Sequence, residues 1–189
     1  MSQYEFTLIL EGPDVLTDEN MNVLFEAGCD DATFGVMYGQ QYADFTREAD
    51  SLASATGSAI RQIEGAIPGV MVRRVEPDDL VTAAEIARRL HRSRESVRLL
   101  IAGERGRGNF PAPISNLKGR RLWRWADVVQ WLTPAEPGVS GIAEEARFIA
   151  ALNAALEIRR HAPGLSSAQE REEVARFIRD DTELLEEAI

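Results

Sequence analysis

Basic residues are concentrated in the middle of this chain. Between Thr82 and Trp125 there are eleven Arg or Lys residues and three Glu residues, a local net charge of +8 in a chain that totals −10. Cationic groups at this density attract phosphate, so a basic stretch in an otherwise acidic protein indicates a nucleic-acid surface. The rest of the chain sums to −18, which explains why the overall isoelectric point of about 4.8 conceals this signal.

The first half of the basic stretch predicts two short helices. Thr82 and Glu85 have the spacing of a capping box, in which both side chains bind free backbone N–H groups at a helix start. Ser93 is a suitable N-cap for a second helix that runs to about Ala102. The outward positions of this second helix are Arg94, Glu95, Ser96 and Arg98. Two short helices with arginines on the free face of the second are typical of a helix-turn-helix.

A β-hairpin and a closing helix are predicted after the helix pair. The glycines at 103–108 end the second helix, and we interpret this loop as a flexible connection, because it lacks the Gly-Lys-Ser/Thr of a phosphate-binding loop. An extended segment at 110–114 leads to a hairpin tip at 118–121 and a returning strand at 122–124. The residues Trp125–Leu132 then fit a short helix with an apolar face.

This succession resembles the winged helix-turn-helix of the MerR/excisionase (AlpA-like) regulators over Val81–Leu132, about 50 of the 189 residues. The resemblance implies a helix, a recognition helix, a wing and a closing helix that together bind double-stranded DNA. Metal-sensing MerR-type regulators use cysteines that follow the DNA-binding unit. The single cysteine of this chain, Cys29, precedes that unit, so metal sensing is not implied.

The outward residues of the second helix and the hairpin tip are the predicted DNA contacts. Arginine can bind O6 and N7 of guanine together, so the helix is expected to read bases in the major groove through Arg94, Ser96 and Arg98. Phosphate contacts position a protein without reading sequence, and they are expected from Arg92, Lys118, Arg120 and Arg121. Ser93 completes the predicted set at the start of the helix. Trp123 and Trp125 are expected to pack the wing against the helices rather than stack on bases.

The residues before the basic stretch predict a ferredoxin-like α+β domain at 1–77. Apolar residues alternate in the manner of strands, two amphipathic helices interrupt them, and the predicted order is β-α-β-β-α-β. Four basic and thirteen acidic residues give this domain a net charge of −9, which repels DNA phosphates. A pairing role or a sensing role is therefore expected here, and the fold alone does not select between them.

The residues after the basic stretch predict further helices. The winged domain is assigned to 78–133, a Pro- and Gly-rich linker to 134–141, and a C-terminal helical hairpin to 142–189. A pair of amphipathic helices cannot bury both apolar stripes alone, so they are expected to pack on the body, on a second copy or on another protein.

No catalytic, metal or cofactor chemistry is predicted. The two histidines, His91 and His161, lie in separate regions, and no zinc-binding spacing or nucleophile–base set is present. The adjacent acidic pairs, Asp78-Asp79 among them, are interpreted as solvated turns or exposed helix positions, and Cys29 as a small buried residue. The N-terminal residues lack the features of a signal peptide and no apolar run is long enough for a membrane span, so a cytoplasmic protein is expected.

The sequence therefore predicts a homodimeric, sequence-specific regulator of transcription that binds double-stranded DNA. Two alternatives remain open at this stage. One is an antitoxin or adaptor that binds a protein through its acidic N- or C-terminal part and regulates its own expression through DNA binding. The other is an excisionase-like architectural protein that bends DNA.

Overall fold

The computed structural model of the protein describes residues 1–77, 79–117 and 119–186. Within them the chain forms seven α-helices and two antiparallel sheets, which confirms the predicted α+β class. No helix in this part of the chain is both long enough and apolar enough to cross a membrane.

The first sheet has four strands in the order β2-β3-β1-β4, and each strand is antiparallel to its neighbours. Its elements follow one another as β1 (Ser2–Glu11), α1 (Asp18–Glu26), β2 (Ala32–Met37), β3 (Gln40–Ala49), α2 (Leu52–Ala66) and β4 (Met71–Glu76). The strand order arises because the two helices carry the chain back across the sheet, so that β1 lies between β3 and β4.

Alternation of apolar residues in β1 forms the first core. Phe6, Leu8 and Leu10 are buried against the apolar face of α2, because successive side chains of a strand point to opposite faces of the sheet. Thr17 caps α1 and Ser51 caps α2. The apolar residues of α1 are only partly buried, because Leu24 lies in the core while Phe25 remains 67% exposed.

A buried arginine holds the start of β2 against α2. Arg47 is 7% exposed, and its guanidinium donates to both carboxylate oxygens of Asp31 at 2.7 and 2.8 Å. It also donates to Ser58 Oγ at 2.9 Å, Gln62 Oε1 at 2.7 Å and the carbonyl of Gly28 at 3.0 Å. All three nitrogens of the guanidinium group are thereby bound, which offsets the cost of removing the charge from water.

Cys29 lies beside this arginine and is buried, as predicted. Burial raises the pKa of its thiol to about 11, and the nearby Arg47 opposes this rise. The thiol is therefore neutral at pH 7, as expected for a cysteine whose role is packing.

The second sheet has three strands in the order β5-β7-β6 and is flanked by three short helices. The elements are β5 (Leu80–Val81), α3 (Ala83–Arg89), α4 (Arg94–Ile101), β6 (Ser115–Leu117), β7 (Arg120–Arg124) and α5 (Trp125–Leu132). Its core is built around Trp123, which is 1% exposed, and includes Ile86, Val97 and Val128. The α5 helix has the bounds predicted from the sequence.

The C-terminal residues form two longer helices, α6 (Ser140–His161) and α7 (Ala168–Glu186), each preceded by a short 3-10 turn at Pro137–Val139 and Ala162–Gly164. Residues 134–141 were predicted to form a linker. In the structure they instead contain the 3-10 turn at Pro137–Val139 and the first residues of α6. The α6 helix lies against both α5 and β4. Residues 187–189, at the end of the predicted hairpin, lie outside the described residues.

The two cores are joined by α6. Ala143 and Ala146 pack in the second core, whereas Ile149 and Leu156, farther along the helix, pack in the first. Most of the apolar stripe predicted for this helix is therefore buried on the body of the protein, whereas Ile142 near its start is 44% exposed.

Side chains also close the outer edge of β4. The Val75 N–H donates to Asn153 Oδ1 at 2.7 Å, and Asn153 Nδ2 donates to the Val75 carbonyl at 3.0 Å. Farther along the strand, the Val72 N–H donates to Glu64 Oε1 at 2.8 Å, and Arg159 Nη2 donates to the Val72 carbonyl at 2.9 Å. These bonds satisfy backbone groups that an edge strand otherwise leaves open to another chain.

Candidate nucleic-acid interface

The helix pair begins with a cap that matches the prediction in part. Thr82 Oγ1 accepts the Glu85 N–H at 3.2 Å, as in a capping box. The Glu85 carboxylate instead accepts hydrogen bonds from Arg88 at 2.7 Å and from Arg89 at 2.8 Å. The Arg89 guanidinium also lies 5.3 Å from the ring centroid of Trp125. Glu85 therefore helps to hold α3 against α5.

We expect Glu85→Gln to lower the free energy of unfolding by about 1–2 kcal/mol at pH 7. Hydrogen bonds from Arg88 and Arg89 lower the pKa of Glu85 from 4.5 to about 2. A carboxylate whose pKa is lower in the folded state stabilises that state above its unfolded pKa, and this contribution disappears as the pH falls from about 4.5 to 2. Urea unfolding of both proteins at pH 7, 4.5, 3 and 2.5 measures the difference.

The control is Glu95→Gln, which removes a carboxylate from an exposed ion pair on α4. Its effect on stability is expected to be smaller, because solvent screens exposed pairs. A cost of Glu85→Gln that stays constant down to pH 2.5 would contradict the electrostatic explanation.

The turn between α3 and α4 is tight. His91 has a φ of +50°, and the Arg92 N–H donates to the Ala87 carbonyl at 2.8 Å. Ser93 Oγ accepts the Ser96 N–H at 3.1 Å and so caps α4, as predicted. The Arg92 side chain, a predicted phosphate contact, forms an ion pair with Glu136 beyond the end of α5. Its charge is therefore engaged within the protein.

The two arginines on the outer face of α4 differ in their surroundings. Arg98 donates to both carboxylate oxygens of Glu95 at 3.0 Å and lies 3.6 Å from Glu104, and its guanidinium holds the pKa of Glu95 below the usual value. The Arg94 side chain is exposed and forms no ion pair or hydrogen bond within the described ranges. Ser96 is half-buried beside them. Arg94 is therefore the cation of α4 most available to a ligand.

The predicted wing is a short antiparallel hairpin. Asn116 pairs with Arg121 and Leu117 with Arg120, so β6 and β7 are in continuous register up to the tip. Both arginines are exposed, and the Arg121 guanidinium lies 5.4 Å from the ring centroid of Trp123. Lys118, the remaining predicted contact at this tip, lies outside the described residues.

Two tryptophans anchor the C-terminal end of the loop between α4 and the wing, which the glycines at 103–108 predict to be a flexible connection. Trp131 Nε1 donates to the Gly108 carbonyl at 2.9 Å, and Trp123 Nε1 donates to the Pro111 carbonyl at 3.0 Å. The Phe110 ring contacts both indoles, with centroids 5.0 Å from that of Trp131 and 6.2 Å from that of Trp123. Both Trp123 and Trp125 are buried, as expected of residues that pack the unit rather than stack on bases.

Sequence reasoning missed two arginines in this loop. Arg105 and Arg107 are exposed, and the Arg107 guanidinium lies 5.4 Å from the ring centroid of Trp131. Both residues contribute to the net charge of +8, but neither was predicted to contact DNA, because the neighbouring glycines predict a flexible connection. Trp131 lies more than twenty residues farther along the chain, so no local sequence signal predicts that Arg107 lies beside it.

Asp79 is also placed differently from its prediction as a solvated turn residue. It is 5% exposed, accepts from Arg124 Nη1 at 2.8 Å, and accepts the Ala126 N–H at 3.2 Å. Its backbone carbonyl accepts the Trp125 N–H at 2.6 Å. Asp79 therefore caps the N-terminus of α5 from a distant part of the chain. Its neighbour Asp78 lies outside the described residues.

The arginines of the basic unit thus divide into two groups. The first group is bound in ion pairs to acidic residues of the protein, and it consists of Arg88, Arg89, Arg92, Arg98 and Arg124. The second group is exposed and forms no ion pair within the described part of the chain, and it consists of Arg94, Arg105, Arg107, Arg120 and Arg121. The second group, which we call the open arginines, lies on α4, on the anchored loop and on β7.

Comparison with models of known protein families, with curated proteins and with solved structures found no match to this chain. The open arginines and the elements that carry them are therefore the basis for a functional assignment.

Proposed function

We propose that the protein is a transcriptional regulator that binds double-stranded DNA sequence-specifically. The unit from β5 to α5 acts as a winged helix-turn-helix, with α4 as the recognition helix and the β6–β7 hairpin as the wing. The observation that carries this proposal is the set of five open arginines on one small folded unit of an acidic protein. Exposed guanidinium groups without acidic partners are suited to phosphates and guanine edges.

The candidate contacts take different roles in this proposal. Arg94 and Ser96 meet base edges, and Arg98 joins them when DNA displaces Glu95 from its guanidinium. Arg120 and Arg121 contact phosphates, together with Lys118, and the loop residues Arg105 and Arg107 add to the positive surface. Arg92 positions the turn through its ion pair with Glu136, and Ser93 maintains the first turn of α4. These last two act on DNA through the shape of the unit.

The acidic N-terminal unit takes a pairing or sensing role. Its strand order, β2-β3-β1-β4, and its two helices support the ferredoxin-like assignment of 1–77. A single winged unit makes only a small interface with DNA. Proteins of this kind usually gain affinity by binding two half-sites as a homodimer.

The experiment is selection of bound DNA from a random pool with full-length protein at two salt concentrations. The full chain is required because α6 contributes Ala143 and Ala146 to the core of the DNA-binding unit. We expect enrichment of one motif, and we expect the logarithm of affinity to fall with the logarithm of salt by about 0.9 for each phosphate contact.

Two results would contradict the proposal. One is a pool that shows no enrichment, and the other is binding that does not depend on salt. Co-purification with a stoichiometric protein would instead favour the adaptor, and strong bending of unselected DNA would favour the architectural protein.

A further inference from the structure

The first half of β1 has an open edge. β1 pairs with β3 along Ser2–Leu10, whereas its pairing with β4 covers only Thr7–Glu11. The reason is that β4 ends at Glu76, and the chain bends at Pro77 toward the second sheet. Among the described strands, the residues Ser2–Phe6 therefore have a partner on one side only.

Two residues of this half-strand direct their backbone groups to the open side. The Val75 N–H and C=O are bound on the outer side of β4. Because neighbouring residues of a strand direct these groups to opposite sides, Glu76 faces its partner Thr7. The same alternation along β1 directs the N–H and C=O of Glu5 and Gln3 to the open side. Within the described part of the chain, these four groups form no hydrogen bond there.

The open edge lines a cleft of about 810 Å³ between the N-terminal unit and the unit from β5 to α5. Five consecutive residues, Ser2–Phe6, line it together, which a strand does through its edge, because alternate side chains point to opposite faces. Other walls come from Glu145 and Ile149 of α6, from Arg88 of α3 and from Trp125 at the start of α5. The volume is within the range of ligand-binding pockets, and a five-residue strand is about 16 Å long.

A smaller cleft of about 370 Å³ lies on the opposite face of the sheet. It is lined by Asp44, whose neighbour Phe45 is buried on the face that packs against α2. Glu5 and Glu76 line both clefts, so the two clefts meet at the open edge. A strand bound at this edge would direct alternate side chains into the two clefts.

The two clefts differ in chemistry. Beside β1, the larger cleft is bordered by partly or fully buried apolar side chains: Tyr4, Leu52 and Ile149. Its two arginines, Arg88 and Arg89, are both bound to Glu85 of their own helix. The lining of the smaller cleft includes three carboxylates and, among the described residues, no basic side chain: Glu5, Asp44 and Glu76. One cleft therefore suits apolar side chains and the other suits basic ones.

We propose that the open half of β1 binds an extended peptide of a partner protein, antiparallel to Ser2–Phe6 and in line with β4, in which apolar and basic residues alternate. Main-chain hydrogen bonds to Gln3 and Glu5 supply affinity, and the two clefts supply specificity. Charge also selects this occupant. The unit 1–77 carries a net charge of −9, which attracts a basic segment and repels a second copy of the same unit.

This inference goes beyond the proposed function and does not depend on it, because its evidence is the strand edge and the two clefts. The larger cleft is bordered by α3 and by the start of α5, so a bound peptide contacts both units of the protein. The test uses no DNA, and its result leaves the DNA-binding proposal unchanged.

The probe is the synthetic peptide acetyl-Lys-Val-Lys-Val-Lys-amide, titrated into nitrogen-15-labelled full-length protein and followed by NMR. We expect saturable binding that shifts the amide signals of Gln3 and Glu5. In this register the first and third lysines pair with Glu5 and Gln3. Methylation of those two lysine backbone nitrogens is expected to weaken binding by about 10–100-fold, because it removes two main-chain hydrogen bonds. The matched control peptide is methylated at its two valine nitrogens, which face away from β1, and should bind as before.

The charge selection is tested with Glu5→Lys, which is expected to weaken binding of the lysine peptide by about 10-fold. The same change should improve binding of acetyl-Glu-Val-Glu-Val-Glu-amide, which the unaltered protein is expected to bind poorly. The control variant is Glu26→Lys, because Glu26 is an exposed carboxylate of α1 that lines neither cleft. Binding of both peptides to this variant should match binding to the unaltered protein.

Three results with the unaltered protein would overturn the proposal, whether or not Glu5→Lys folds. They are no binding of the lysine peptide, equal binding after methylation of its lysine nitrogens, and equal binding of the glutamate peptide. Slow hydrogen exchange at Gln3 and Glu5 in a dimer without added peptide would assign the edge to a second copy, and would overturn it as well.

Discussion

Replacing Arg47 by methionine is expected to lower the free energy of unfolding by about 3 kcal/mol, because it leaves the partners of a buried charge without a counterpart. Asp31 loses two charge-assisted hydrogen bonds, and Ser58, Gln62 and the Gly28 carbonyl lose one bond each. We place the expected loss near the lower end of the range for broken buried pairs, since the Asp31 side chain retains 29% exposure to water.

Chemical denaturation at pH 7 measures this loss. The matched control is Arg61→Met on the same helix as Ser58 and Gln62, where the arginine is exposed and the change is expected to be small. Arg47→Lys should recover only part of the stability, because an ammonium group cannot bind Asp31 and the α2 side chains with the same fork of donors. A loss below about 1 kcal/mol for Arg47→Met would show that the cluster contributes little net stability.

Replacing Arg94 by alanine is expected to weaken binding to the selected DNA site by about 10–100-fold and to relax the preference at one base pair. Arg94 is the outward arginine of α4 that no acidic side chain of the described residues engages. Arg120→Ala at the wing should weaken selected and random DNA alike and reduce the salt dependence by about one unit. Fluorescence anisotropy with both DNAs at several salt concentrations separates the two effects, and Arg61→Ala serves as the control.

Arg98 calls for a different test, because Glu95 holds its guanidinium. Glu95→Gln removes a negative charge from α4, the proposed recognition helix, and releases Arg98, so it is expected to strengthen binding. In an Arg98→Ala background the same change should have a smaller effect, and the four proteins form a double-mutant cycle. If Glu95→Gln weakens binding at one base pair, Glu95 itself reads a base. If Arg94→Ala lowers affinity equally for all sequences, α4 is not the recognition helix.

Local sequence patterns determined most helix starts and the charge distribution of this protein. Thr82 and Ser93 were predicted as caps and act as caps, because a capping hydroxyl binds an N–H only two or three residues farther along the chain. The bounds of α5 followed from its apolar spacing in the same way. The basic stretch between Thr82 and Trp125 was visible by counting, since net charge does not depend on how the chain folds.

Only the tertiary structure decided which of those charges remain available. Arg92 meets Glu136 and Arg124 meets Asp79 across more than forty residues of chain, so no local spacing predicts either pair. The same is true of Asn153, which closes β4 from a helix 78 residues away. An ion pair or a shared hydrogen bond needs its two groups within about 3 Å, and for residues this far apart the packing of whole elements sets that distance. Counting residues gives the positive charge of the unit, and tertiary packing determines which of its arginines form ion pairs and which remain exposed.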